Sequence, residues 1–216
     1  MLIDLHSHTW PLSDDSSLDA NELIQRSKEA GIDGICLTEH DFFWNEEKVK
    51  ELAFKHQFLV LPGCEINTDD GHILVYGLHR YVYGMHRTQE LARMVEAAGG
   101  AMVAAHPYRR LLPWFAQKDP DAYHNAIERG KQVSAYQYVA ALETENGRGS
   151  EVENAFSHRL AEAMELPETA GTDSHAFADI ARCATYFEGD IRSLEDLITE
   201  LKAGRFYPVA LQKAGR

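Results

Sequence analysis

Six short segments of the chain carry metal-ligating side chains beside apolar runs: His6-Ser7-His8, Thr38-Glu39-His40-Asp41, Gly63-Cys64-Glu65-Ile66, Gly71-His72, Ala105-His106-Pro107 and Gly171-Thr172-Asp173-Ser174-His175. Imidazole nitrogens and carboxylate oxygens together suit divalent Zn, Mn or Fe. His6 and His8 are two apart on an extended stretch, so both turn to one face with about 6 to 7 Å of rise between them. Asp173 and His175 repeat that parity. Gathered at one rim, these groups form a multinuclear metal cage. Such a cage lowers the pKa of bound water and neutralises charge on an ester undergoing attack.

The groups can meet only if the apolar runs beside them are neighbouring strands. Strands are expected at residues 1–5, 34–37, 58–61, 73–78, 101–105 and 140–144, with a short one leading to Gly171 and another at 183–187. Between them the spacing predicts helices from Asp19, whose side chain can cap and Glu22 reciprocate, to about Gly31, and at 46–55, 87–98, 122–129, 151–165 and from Ser193 to about Gly204, before a short tail. Gly99-Gly100 is a natural helix stop, and residues 107–120 read as irregular. Alternation of this kind implies an α/β fold with helices covering a parallel sheet or barrel, and chemistry at the carboxyl ends of its strands.

With 216 residues, 44% of them apolar, the chain is expected to build one domain spanning 1–216. Asp4 and His6 interrupt the apolar opening before a signal peptide can form, and no run approaches the roughly 20 apolar residues of a membrane helix. Cys36, Cys64 and Cys183 are odd in number and far apart, which disfavours a disulfide framework and points to a reducing cytoplasm. A net charge of −13, from 21 basic and 34 acidic residues, argues against long nucleic acid as a partner. A small phosphorylated substrate stays compatible, because bound cations reverse the local field.

The segments Ile3-Asp4-Leu5-His6-Ser7-His8-Thr9, Leu37-Thr38-Glu39-His40-Asp41, Pro62-Gly63-Cys64-Glu65, Gly71-His72, Ala104-Ala105-His106-Pro107 and Gly171-Thr172-Asp173-Ser174-His175, with the turn at Ser13-Asp14, resemble in order the motifs of the PHP superfamily of polymerases and histidinol phosphatases. The resemblance implies a distorted (β/α)7 barrel that holds two or three divalent metals for phosphoester hydrolysis. Position by position it implies His6, His8, Glu65 and Asp173 around one metal, Glu65, His72 and His106 around a second, and Asp14, His40 and His175 around a third. The turn before Asp14 is a residue longer than the common form, so Asp15 competes with Asp14. His79 competes with His72, and their odd separation allows only one of them into the site.

In the mechanism this suggests, a metal-bound hydroxide attacks a small phosphomonoester, nucleotide-like or histidinol-phosphate-like. Asp173 serves as ligand and proton acceptor, and His175 or a bound water protonates the leaving group. Arg109, Arg148 and Arg182 follow strand ends and are candidates for phosphate recognition, with Arg110 a further possibility. Glu143, which shares a strand face with Glu145, is a candidate for orienting a ligand histidine. Trp10, Trp44, Tyr108 and Trp114 fall in loops that could shape a base or sugar pocket, while His56, His86, His124 and His158 read as surface residues. The alternatives are an amidohydrolase-type C–N hydrolase, which often bridges its metals with a modified lysine that no inner strand supplies here, and a metal-stabilised module without turnover.

Overall fold

A computed structural model describes residues 1–211, and the end of the expected tail, residues 212–216, lies outside the described residues. Ten strands and seven α-helices alternate along it. They are β1 (Leu2–Ser7), α1 (Ala20–Glu29), β2 (Gly34–Leu37), α2 (Glu46–His56), β3 (Leu59–Pro62), β4 (Cys64–Thr68), β5 (Gly71–Tyr76), α3 (Thr88–Ala97), β6 (Ala101–Ala104), α4 (Tyr108–Leu111), α5 (Pro120–Gly130), β7 (Ala141–Asn146), α6 (Glu151–Met164), β8 (Glu168–Gly171), β9 (Cys183–Phe187), α7 (Leu194–Ala203) and β10 (Phe206–Ala210). Local chemistry sets many boundaries. Asp19 caps α1 by accepting from the backbone N–H of Asn21 and Glu22, Ser150 and Glu153 form a capping box on α6, and Gly204 ends α7 in the left-handed conformation.

The strands form two five-stranded sheets, ordered β10-β9-β1-β2-β3 and β4-β5-β6-β7-β8. The expected alternation and α/β class hold, but the described residues do not close into a (β/α)7 barrel. Two local features account for the break. At Ala170, next to the carboxyl end of β8, the Thr185 hydroxyl takes both backbone groups, at 2.8 Å each, where a ladder would need a strand. On the other side the chain passes from β3 into β4 at Gly63, where a Cβ would stand 2.9 Å from Thr38 Cγ2 and 3.0 Å from Tyr76. Antiparallel pairs β4–β5, β5–β6, β1–β9 and β9–β10 replace the all-parallel arrangement. Neither β4 nor β10 is among the expected strands.

The sheets are stitched together just past their strand ends, which is where the ligand-type residues lie. Isolated bridges join Ser7 to Ser174 and His40 to Glu65. Asp173 N–H donates to His6 O at 2.8 Å, His8 N–H to Ser174 O at 3.1 Å, and Glu65 N–H to Glu39 O at 3.0 Å. Apolar clusters flank this seam, with Ile3, Leu5, Leu74 and Val103 packed together and Leu23, Ile24, Ile35 and Leu37 forming another group. Fully buried side chains of this size contribute about 1.5 to 3 kcal/mol each, which lets the fold hold a polar cage at its centre.

Candidate metal centre

Four side chains from three segments converge at the seam. His6 Nε2 and His8 Nε2 lie 2.9 Å apart. Glu65 Oε2 is 3.3 Å from the first and 3.2 Å from the second, and Asp173 Oδ1 is 3.6 and 3.5 Å from them. A tetrahedral cation with bonds of about 2.0 to 2.1 Å has ligand–ligand edges of about 3.3 to 3.4 Å. The observed edges scatter around that length. Glu65 Oε2 and Asp173 Oδ1 are both buried and, among the described residues, lack a hydrogen-bond partner. A buried carboxylate oxygen without a partner is costly, and a cation inside the tetrahedron satisfies both at once. The donor set fits a divalent metal.

The other expected ligands surround this core. Glu65 Oε1 lies 2.8 Å from His72 Nδ1 and 2.9 Å from His106 Nε2, so one carboxylate faces two positions. On the opposite side His40 Nε2 and His175 Nε2 lie 3.4 and 3.1 Å from Asp15 Oδ2. Asp15, and not Asp14, therefore reaches the cage; Asp14 is exposed on the same turn. His79 is also exposed and pairs with Glu46 at 2.6 Å, which leaves His72 as the histidine of the site. Four sets of ligand-type atoms lie close enough to share an ion: His6, His8 and Glu65; His6, His106 and Asp173; His40, Glu65 and His72; and His8, His40 and His175.

Partners behind the cage set which nitrogen each histidine offers. Glu143 Oε1 accepts from His6 Nδ1 at 2.9 Å, so Nε2 faces inward, and Glu143 Oε2 accepts from the backbone N–H of His106 at 2.9 Å. Gly171 makes this packing possible, because a Cβ there would stand 2.5 Å from His6 Cβ and 2.6 Å from Glu143 Oε1. For His8 the chain of contacts runs through Ser13. The Ser13 hydroxyl donates to Glu39 Oε2 at 2.6 Å and lies 3.2 Å from His8 Nδ1. Glu39 is fully buried and also accepts from the Thr9 backbone N–H, the Thr9 hydroxyl and Trp44 Nε1. Asp4 accepts from the backbone N–H groups of His6 and Thr172, and so ties the strand of His6 to the loop of Asp173. Two of the expected ligands have left-handed backbones, His106 with φ 28° and Asp173 with φ 52°. That conformation is uncommon outside glycine and marks strain held by the surrounding bonds.

The electrostatics follow from crowding carboxylates in a dry site. Burial opposes a charge on His6, yet Glu143, Glu65 and Asp173 overcome it and hold its pKa well above the ordinary imidazole value. Burial pushes the carboxyls of Glu65 and Asp173 upward, and the histidines around them, with Arg109 beside Asp173, reverse this and hold both well below the usual range. Burial lifts Asp4 to about 6. The cage thus favours positive charge, and a metal entering it displaces protons.

Among the candidate arginines, Arg109 pairs with Asp173 Oδ2 and lies 3.0 Å from His106 Nε2, and Arg148 Nη1 lies 2.9 Å from His175 Nδ1. Arg182 is held away from the cage, with Nε donating to Ala178 O and Nη1 to Gly147 O. Arg110 is likewise committed to Asp69 O and Asn67. Glu143 and Glu145 do not share a face, because β7 slips register between them. His158 is more than a surface residue, since it sits between Glu168 and Glu145. Of the aromatics, Tyr108 is buried beside His106 and Trp44 supports Glu39, whereas Trp10 and Trp114 are exposed.

Residues 4–166 match the PHP domain model and residues 151–206 the model of the PHP-associated region. An uncharacterized protein of Methanocaldococcus jannaschii is 27% identical over 117 residues, covering 50% of this chain and 68% of that protein. PsfC from Pseudomonas syringae superposes with a TM-score of 0.63 at 20% identity, over 97% of this chain and 91% of that one. A two-domain Bacteroides vulgatus protein containing a predicted PHP-like metal-dependent phosphoesterase gives 0.61 at 20% identity, over 97% of this chain and 64% of that one. An amidohydrolase from Chromobacterium violaceum with bound sulfate gives 0.61 at 16% identity, over 98% and 99%. At these identities the superpositions speak for the fold.

Proposed function

Since the chain belongs to the PHP domain family, we propose that it is a metal-dependent phosphoesterase that hydrolyses a small phosphomonoester, nucleotide-like or histidinol-phosphate-like. The observation that carries this reading is the pair of orphaned carboxylate oxygens, Glu65 Oε2 and Asp173 Oδ1, buried in a ring of histidines with two arginines at its edge. In this reading His6, His8, Glu65 and Asp173 hold one cation, Glu65, His72 and His106 a second, and Asp15, His40 and His175 a third. Divalent ions held there supply hydroxide from water near neutral pH and offset the charge of the phosphoryl oxygens.

The chain's own groups do the rest. The His106 Nε2 lone pair serves one partner at a time, so Arg109 Nη1 is freed for an oxyanion when that nitrogen acts as a ligand, while Nη2 stays on Asp173 Oδ2. His175 Nδ1–H donates to Asp173 O at 2.8 Å, and a protonated nitrogen is a poor acceptor for Arg148. A phosphoryl oxygen displaces that contact, and Arg109 Nη1 and the planar fork of Arg148 then hold the phosphate from two sides. Asp173 Oδ2 takes the proton of the attacking water, and the departing alkoxide takes one from a water at the site, because His175 is committed to Asp173 O and to the cation. The acidic surface keeps long nucleic acid away, so the substrate is small.

A phosphate-release screen over nucleotides, sugar phosphates and histidinol phosphate, with Mn, Zn or Fe added, tests the reading. Phosphate release that vanishes in chelator and in His106→Ala, and returns with metal only in the unmutated protein, is the expected result. Ammonia or amine release without phosphate would point instead to C–N hydrolysis, and metal uptake with no turnover on any substrate to a structural module.

A further inference from the structure

The register slip in β7 has a second effect. Glu143 pairs with Thr169 and Glu145 with Ala170, and past this bulge Asn146 joins Glu143 on the side of the cage, three residues away, while Glu145 turns to His158 and Asn154 on α6. Asn146 is 1% exposed. Its Nδ2 donates to Glu143 Oε2 at 2.9 Å and to Asp173 Oδ2 at 3.4 Å, and its Oδ1 accepts from the Arg148 backbone N–H at 3.0 Å and the Tyr108 hydroxyl at 3.3 Å. Two amide protons and two lone pairs are all in use. The amide has one permitted orientation, because a flip would press its oxygen against two carboxylates. The Asn154 side chain clamps the Asn146 backbone from behind, accepting from its N–H at 3.3 Å and donating to its carbonyl at 3.1 Å.

Each of the four partners serves a different part of the site. Glu143 orients His6, Asp173 turns its other oxygen into the cage, Arg148 lies against His175, and the Tyr108 ring lies 6.0 Å below Arg109. From this juxtaposition we propose that Asn146 is the positioning residue joining the cation cage to the arginine edge: its N–H groups hold Asp173 and Glu143 in their ligand-supporting poses, and its carbonyl oxygen fixes the loop that presents Arg148. The arginine half of this proposal rests on the phosphoesterase reading; the cage half stands without it.

Two titrations on intact protein test it: Zn or Mn binding by equilibrium dialysis, and inorganic phosphate binding by calorimetry at saturating metal. Asn146→Ala is expected to lower cation affinity about 10- to 100-fold, the range for residues that orient metal ligands, and to weaken phosphate binding as well. Thr144→Ala is the control, because Thr144 is equally buried in the same bulge and its hydroxyl turns to Thr169 O; both affinities should stay at wild-type values. If Asn146→Ala does not fold, Asn146→Ser, with a smaller cavity, is read in the same way. The proposal is overturned if the Asn146 variant binds both ligands like wild type, if only cation affinity falls, or if Thr144→Ala produces the same losses. Wild-type protein that takes up metal but no phosphate would end the phosphoesterase reading, and cation affinity in Asn146→Ala would still decide the cage half.

Discussion

The two sides of the cage are built differently. On the inner side His6, His8, Glu65 and Asp173 are all buried, and Asp4 and Glu143 tie down His6, Ser13 His8, and Asn146 the outer oxygen of Asp173. On the outer side the Asp15 side chain is 52% exposed and His40 30%, with His175 at 7%. An ion entering the inner side meets a finished tetrahedron. An ion on the outer side must draw Asp15 out of water and order its turn. Similar ligand chemistry should therefore yield unequal affinities, with ions bound in steps.

Glu65 is where the two sides meet, so its loss should have the largest effect. Glu65→Ala is expected to weaken cation binding by more than about a hundredfold, beyond the range seen when an outer residue is removed, and to abolish hydrolysis; a metal content of purified protein equal to wild type would contradict this. Next comes the support of His8. Glu39→Gln breaks a hub that accepts from Thr9, Ser13 and Trp44, and an affinity loss of about 10- to 100-fold confined to the tightest ion should follow. Dialysis that shows the weakest ion affected instead would reverse the ranking of the two sides. A smaller effect is expected outside: Asp15→Asn should lower affinity for the weakest ion about tenfold, and Asp14→Asn should stay within about twofold of wild type. Equal losses from both would remove Asp15 from the site.

Much of this arrangement was legible in the chain because ligands follow strands, and strands announce themselves by apolar runs. His6, His8, Glu65, His72, His106 and Asp173 all meet where that logic places them. Legibility failed wherever backbone geometry departs from regular strand. Parity puts Glu143 with Glu145, but the bulge pairs Glu143 with Asn146, and a one-residue slip leaves no mark in composition. Glu39 sits beside His40 in a motif already singled out, yet three of its four donors come from Thr9 and Ser13, 26 to 30 residues away in the chain, and only folding brings them to it. The Asp69-Asp70-Gly71 turn, between a short run ending at Thr68 and the strand at 71–76, was the available signal for the β4–β5 hairpin. β10, read as tail, is recruited by β9 over five residue pairs, a partner that local propensity does not reveal.

The smallest expected effect lies outside the cage and serves as a reference. His158 is bracketed by Glu145 and Glu168, which raise its pKa above the ordinary value of about 6.5 despite partial burial. A raised folded pKa means the ion pairs stabilise fully below about pH 6.5 and lose that contribution as the pH rises through the folded value. Solvent screening limits it to about 0.5 kcal/mol. His158→Gln should therefore lower the melting temperature at pH 5.5 and leave it unchanged at pH 9, with metal affinity unaltered at both. A melting temperature lowered equally at both pH values would mean that packing, and not charge, carries the contribution.

The inner tetrahedron is tested most directly by anomalous X-ray diffraction from crystals soaked in limiting Zn or Mn. The first peak to fill should lie between His6 Nε2, His8 Nε2, Glu65 Oε2 and Asp173 Oδ1, at about 2.0 to 2.2 Å from each. A first peak at Asp15, His40 and His175, or away from these residues altogether, would contradict the account.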